Sequence, residues 1–172
     1  MNLPNKLTLA RVGLIPLCLL ALLAHWYIAA AAVFGLAAFT DMLDGRIARK
    51  RNLVTNFGKF ADPVADKILV LSAMAVLLYL GLFPWWALVI VLIRELAVDG
   101  LRLVAVEQGI VIAAGQLGKV KTTVQIIAVL CAMVFRWPWL TVTLSVAVCA
   151  LTLLSGAEYF RKSKDLLNPH EG

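Results

Sequence analysis

The stretch DMLDGRIARKRNLVTNFGKFADPVADK, Asp41 to Lys67, places Asp41, Asp44, Asp62 and Asp66 in a chain otherwise greasy enough for a bilayer. Carboxylates at membrane depth are costly, and where they occur they mark functional sites. What surrounds them decides the fold. Of the 172 residues 62% are hydrophobic, and the mean hydropathy is +0.91. Soluble domains of this length sit near half apolar and lack successive long apolar runs, which excludes a soluble protein. About six apolar segments follow one another, at roughly 7–24, 27–49, 62–82, 84–107, 118–135 and 138–160. Each is near the ~20 residues that a helix needs to cross the hydrocarbon core. The expected fold is all-α, a polytopic membrane protein with about six transmembrane helices in a single domain over residues 1–172, with no room for a separate soluble module.

The net charge of +6 is unevenly spread. The linkers AHWY (24–27), YLGLFPWW (79–86) and FRWPW (135–139) carry Arg136 as their only charge. The other segment ends hold Lys6, then Arg46, Arg49, Lys50, Arg51 and Lys59, then Arg102, Lys119 and Lys121, then Arg161, Lys162 and Lys164. By the positive-inside rule both termini are expected in the cytoplasm. Trp26, Trp85, Trp86, Trp137 and Trp139 all fall at the poorly charged ends, as in an outer interfacial belt. The expected location is the cell (inner or plasma) membrane, multi-pass, with the active site facing the cytoplasm. The flank MNLPNKLTLAR is weakly basic and no small-residue cleavage site follows, so the first segment is not expected to be a cleaved signal. Cys18, Cys131 and Cys149 lie in apolar spans without metal-like spacing and read as packing residues. His25 and His170 lie away from the carboxylates, and no nucleic acid is among the expected partners.

Depth and spacing bring the aspartates together. A helix from Tyr27 through Arg49 has about 23 residues and a length of ~34 Å. Asp41 and Asp44 then lie one to two turns inside the cytoplasmic edge. The third segment runs outward from Asp62, so Asp62 and Asp66 come to a similar depth. Asp41 and Asp44 are i,i+3, Asp62 and Asp66 are i,i+4, and each pair shares a helix face. Asp41, Gly45 and Arg49 form a further stripe, and Pro63 predicts Asp62 at or near a helix N-terminus. Four converging carboxylates repel one another without a counter-charge. Two divalent cations would neutralise them, and hard oxygen ligands suit Mg²⁺ or Mn²⁺. Such a cation pair can clamp a phosphoryl group in displacement. Gly45, Ala48 and Gly58 leave room for a ligand or serve helix packing, and Arg49 offers a fork for a phosphate. Either aspartate pair alone reads as a solvated helix end; the four together read as a site.

Written as a pattern, residues 41–66 are D-x2-D-G-x2-A-R-x8-G-x3-D-x3-D. This resembles the signature of the CDP-alcohol phosphotransferase family at every fixed position. The resemblance implies six transmembrane helices, a homodimer, and transfer of a phosphatidyl or related phosphoryl group from a CDP-linked donor to an alcohol, releasing CMP. It implies that Asp41, Asp44 and Asp62 are ligands of a two-metal site to which Asp66 also contributes, with Asp66 as general base. It places Gly45, Ala48, Arg49 and Gly58 around the CDP group, with Arg49 on the diphosphate. Four stretches, NLPNKLTLARVGLIP (2–16), FGKFADPVADK (57–67), IRELAVDGLR (93–102) and AAGQLGKVKTT (113–123), are similar to family members that join CDP-diacylglycerol and sn-glycerol 3-phosphate. The first of them implies Asn5 and Thr8 as neighbours of the nucleotide. Membrane lipids are the remaining expected partners.

An acceptor such as glycerol 3-phosphate is a dianion and needs cations. Lys119 and Lys121 stand at the cytoplasmic start of the fifth segment, with Arg94 and Arg102 on the fourth. Arg94 falls about ten residues beyond Pro84, at mid-membrane depth, where an arginine is a functional candidate. The plainer readings are an ion pair of Arg94 with Glu95, Asp99 or another helix's carboxylate, an Arg102–Asp99 pair, and lysines in a positive-inside loop. The stretch EQGIVIAAGQLG (107–118) would be a cytoplasmic loop bordering the pocket. Serine, inositol or glycerol as acceptor would leave the aspartate motif unchanged. A divalent-cation transporter would also use buried carboxylates, but gains nothing from Arg49 beside its ligands, and the acidic residues do not ladder to the outer face.

Overall fold

The computed structural model describes the backbone of residues 3–50, 56–107, 110 and 115–163, and the side chains of 10–40, 64–107, 110 and 115–163. The described residues form six helices and no strand: α1 (Leu3–Leu23), α2 (Tyr27–Lys50), α3 (Asn56–Tyr79), α4 (Trp85–Glu107), α5 (Gln116–Val134) and α6 (Pro138–Lys162). Five of them begin and end within a few residues of the apolar segments.

The start of α3 is a correction. Pro63 predicts that Asp62 opens the helix, yet α3 begins six residues earlier, at Asn56, and Pro63 lies inside it. Proline inside a helix forfeits one amide hydrogen bond, a loss that membrane helices tolerate because neighbouring groups re-satisfy the carbonyl. α1 likewise contains Pro16.

The three short linkers share a physical device. After α1, the amide of Trp26 donates to the carbonyl of Ala21 and that of His25 to Leu22, at 2.8 and 2.9 Å. After α3, Leu82 donates to Leu77 and Gly81 to Leu78 at 2.8 and 2.9 Å. This paired bonding caps orphan carbonyls and needs a left-handed residue just past the helix. His25 (φ 61°) and Gly81 (φ 71°) supply it, and Arg136 (φ 53°) takes the same conformation after α5. Only glycine does so without Cβ strain. His25 is held there by its ring nitrogen Nδ1, 2.8 Å from the Tyr27 hydroxyl, and the Arg136 guanidinium lies over the Tyr27 ring at 4.8 Å.

The helices form two compact units. One comprises Met1–Phe83 and Val129–Pro138. Within it α1 packs on α2 and α3, and Arg11, Ile15, Cys18 and Leu22 make one buried stripe on α1. Ala30, Phe34 and Ala37 of α2 face inward, the Cys18 thiol donating to the Ala30 carbonyl at 3.6 Å. Leu69, Ala73 and Leu77 continue the core along α3. The other unit comprises Pro84–Ala128 and Trp139–Gly172. Its interior takes Ala87, Val91, Glu95, Val98, Leu101 and Ala105 from α4. From α6 it takes the largely polar stripe Thr141, Ser145, Thr152, Ser155 and Tyr159.

Burial is inverted relative to a soluble protein. Leu96 and Leu103 are 65% and 67% exposed, whereas Arg11 and Lys121 are 1% and 4% exposed. Charged residues are almost never fully buried in soluble folds unless paired, and an aliphatic exterior of this extent suits lipid. α5 and α6 are each long and apolar enough to cross a membrane; the apolar stretches Ala10–Leu23 and Tyr27–Thr40 are shorter.

Candidate active site

The aspartate motif lies on consecutive helices. Asp41, Asp44, Gly45, Ala48 and Arg49 belong to the last ten residues of α2, and Gly58, Asp62 and Asp66 to the first eleven of α3. Because both helices run through these positions, the i,i+3 and i,i+4 relations hold on helical backbone. The side chains of Asp41, Asp44, Ala48, Arg49 and Asp62, and the surroundings of Gly45 and Gly58, lie outside the described residues, as do the side chains of Asn5 and Thr8 on α1. Asp66 is described, and is half-buried. No three His, Cys, Asp or Glu residues stand together among the described residues. The chemistry of the donor set, carboxylates on adjoining helices with no thiolate or imidazole in the motif, fits hard divalent cations.

Arg11 is a residue that the sequence reading passes over. It is buried on α1, three positions beyond Thr8 and so on the same face. Burying a guanidinium is costly unless it is compensated, and Arg11 has an interaction partner. The i,i+3 relation to Thr8 within NLPNKLTLARVGLIP was the available signal.

The basic candidates of the second unit are described in full. Glu95 of α4 anchors two of them: Nη1 of Arg94 lies 3.0 Å from its Oε1, and Nζ of Lys121 donates to the same oxygen. The side chains of Arg94 and Lys121 are 12% and 4% exposed. The ion pair of Arg94 with Glu95 that the sequence offers is therefore present, and it also takes in Lys121. Tyr159 of α6 joins the remaining member, its hydroxyl accepting from Nη2 of Arg102 at 2.7 Å. Both guanidinium groups stand over the Tyr159 ring, Arg94 at 5.7 Å and Arg102 at 5.3 Å, within cation–π range. Arg94 runs beside two glycines: a Cβ at Gly118 would lie 3.8 Å from its Nη2, and one at Gly156 would lie 3.4 Å from its Cγ, both ordinary contact distances. Lys119 is exposed, because residues two apart on a helix point to different sides.

The cluster brings three cations, Arg94, Arg102 and Lys121, to the Glu95 carboxylate and the Tyr159 side chain. Among the described residues the buried Nε groups of Arg94 and Arg102 have no hydrogen-bond acceptor. Such a site can take a doubly charged anion with bidentate donors to spare.

A family model for CDP-alcohol phosphatidyltransferases matches residues 1–154. The chain belongs to that family. It is 44% identical to the CDP-diacylglycerol–glycerol-3-phosphate 3-phosphatidyltransferase of Bacillus subtilis, over 96% of this chain and 97% of the relative. A protein of the same name in Shigella flexneri is 39% identical, over 97% and 98%. A probable phosphatidylglycerophosphate synthase of Mycobacterium tuberculosis is 40% identical, over 94% and 81%.

Proposed function

We propose that this protein transfers the phosphatidyl group of CDP-diacylglycerol to sn-glycerol 3-phosphate, giving phosphatidylglycerol phosphate and CMP. Family membership and relatives alike over nearly their whole length support the donor and the reaction. One observation carries the acceptor: the Arg94–Lys121–Arg102 cluster around Glu95 and Tyr159, in which three cations gather within one unit. Serine, inositol and glycerol bring no phosphate to such a site.

Arg94, Arg102 and Lys121 hold the acceptor phosphate, and exposed Lys119 raises the local concentration of anions at the entrance. Arg49 takes the donor diphosphate, with Gly45, Ala48 and Gly58 leaving room for the CDP group and Asn5 and Thr8 beside the nucleotide. Asp66 accepts the proton of the attacking hydroxyl, whose oxygen bonds to the lipid-side phosphorus as the bond to CMP breaks. Asp41, Asp44 and Asp62, with Asp66, would hold two divalent cations, Mg²⁺ or Mn²⁺. When bound, these supply charge stabilisation to the diphosphate and the departing CMP.

We place this chemistry in one domain spanning 1–172, working as a homodimer in the cell membrane. All six helices span it, with both termini and the site on the cytoplasmic side. The inverted burial and the tryptophans of the weakly charged linkers support that placement. The acyl chains then stay in lipid while the CDP head and the acceptor meet in water. The test is CMP release by purified protein given CDP-diacylglycerol, Mg²⁺ or Mn²⁺, and each acceptor separately, with an EDTA control. Metal-dependent turnover with glycerol 3-phosphate alone is expected; turnover with serine, inositol or glycerol instead would overturn the acceptor.

A further inference from the structure

Glu158 of α6 is used by nothing above. Its Oε1 accepts from Nζ of Lys162, an i,i+4 pair in which the lysine is 61% exposed. Exposed pairs of this kind contribute little, and this one leaves the other oxygen unexplained. Oε2 of Glu158 is buried and, among the described residues, accepts no hydrogen bond. It lies where a Cβ of Gly115 would be only 3.1 Å away. Buried carboxylate oxygens without donors are uncommon in native proteins and call for a partner.

The neighbouring groups say which partner. Gly115 stands just before α5, and on the first turns of that helix Gly118 and Lys121 are i,i+3 neighbours. Beside these positions stand the Glu158 carboxylate at Gly115 and the Arg94 guanidinium at Gly118, the latter sharing Glu95 with the Lys121 ammonium. Gly115 clears space for the Glu158 carboxylate of α6. Among the charged side chains of this unit, two buried Nε donors, of Arg94 and Arg102, and one acceptor, Oε2 of Glu158, have no hydrogen-bond partner among the described residues. The phosphoryl group of a fully ionised monoester could satisfy the donors but carries no hydrogen for the carboxylate. A polyol phosphate satisfies both, and one helical turn, about 5.4 Å, is comparable to the reach from its phosphorus to its hydroxyls.

We infer that Glu158 is a specificity-determining residue that accepts a hydrogen bond from the non-reacting C2 hydroxyl of the acceptor. This rests on the phosphatidyl-transfer reading and on the acceptor cluster. A site built to bond a hydroxyl rejects the analogue that lacks it far more strongly than an apolar pocket rejects a missing methylene.

The experiment compares kcat/KM for sn-glycerol 3-phosphate and for 3-hydroxypropyl phosphate, which keeps the primary hydroxyl and the phosphate but lacks the C2 hydroxyl. Wild-type protein should prefer glycerol 3-phosphate by roughly ten- to a hundredfold, the range of a hydrogen bond to a charged group. Glu158→Leu should bring that ratio close to one, mainly by raising KM for glycerol 3-phosphate, with KM for CDP-diacylglycerol unchanged. Glu158→Gln, which keeps an acceptor oxygen in the same shape, should retain part of the preference and guards against misfolding of the leucine variant. Lys162→Ala should leave the ratio as in wild type. An unchanged ratio in Glu158→Leu would overturn the contact, as would Lys162→Ala reproducing the loss, which would mark a structural ion pair. Absence of CMP release by wild-type protein with either acceptor would instead overturn the transfer reaction and the contact with it.

Discussion

The hydroxyl of Tyr159 accepts a hydrogen bond from Arg102 at 2.7 Å, while the ring below it faces the guanidinium groups of both Arg102 and Arg94. One aromatic side chain thereby holds two arginines that would otherwise repel each other. Tyr159→Phe keeps the ring and removes the hydroxyl. It should raise KM for glycerol 3-phosphate about tenfold, the scale of one charge-assisted hydrogen bond, without altering KM for CDP-diacylglycerol. Equal changes for both substrates in steady-state kinetics would take Tyr159 out of the acceptor site.

Lys121 and Lys119 are two positions apart and point to different sides of α5, one buried on Glu95 and the other exposed. Lys121→Ala should raise KM for glycerol 3-phosphate by roughly ten- to a hundredfold. Lys119→Ala should change it only severalfold, and less still at high salt, since exposed charges act through a screened field. Kinetics at two ionic strengths separate the two roles.

Glu95 carries the balance of the cluster. Glu95→Gln removes the carboxylate that Arg94 and Lys121 share and leaves buried cations facing one another. Breaking a buried pair costs about 3–5 kcal/mol, so a fall in Tm together with weakened acceptor binding is expected, checked by thermal unfolding in detergent.

Asp41→Asn and Asp62→Asn should each abolish CMP release while the protein stays folded and membrane-inserted. Activity near that of wild type would remove these residues from the metal site. EDTA should have the same effect on wild-type protein, reversed by added Mg²⁺ or Mn²⁺.

Gly81 sits at φ 71° with open space where a Cβ would be. Gly81→Ala therefore meets no clash and suffers only backbone strain, about 1–2 kcal/mol. A small drop in Tm with unchanged kcat and KM is the expected result, whereas altered kinetics would tie the turn to the site.

The helices were legible because length and apolarity are what a membrane demands of a segment, and the short linkers stand out as tryptophan-rich and nearly uncharged. The start of α3 was not, since Asn56 to Ala61 mixes Asn56, Gly58 and Lys59 with two phenylalanines and Pro63 imitates a helix opening. Arg94, Arg102 and Lys121 were visible as intramembrane or near-membrane cations, and Glu95 adjoins Arg94 in the chain. Tyr159 was hidden, because an aromatic near the end of an apolar segment looks like any other, and its partner Arg102 lies 57 residues away. Arg11 was passed over inside the first apolar segment, where it is the one charge. Glu158 reads on a helix as half of an ordinary pair with Lys162; only the glycine opposite it reveals the second oxygen.

The inverted burial has a consequence for how such a chain tolerates change over generations. Outward positions such as Leu96, Leu103 and Leu153 ask only for bulk and greasiness, so many spellings serve equally. Inward positions such as Ala87, Ser145, Thr152 and Gly156 are small and packed against their neighbours, so less can change there. Drift should therefore run along the lipid-facing surface, and the 44% of positions shared with the Bacillus subtilis protein should gather where side chains are smallest or most polar.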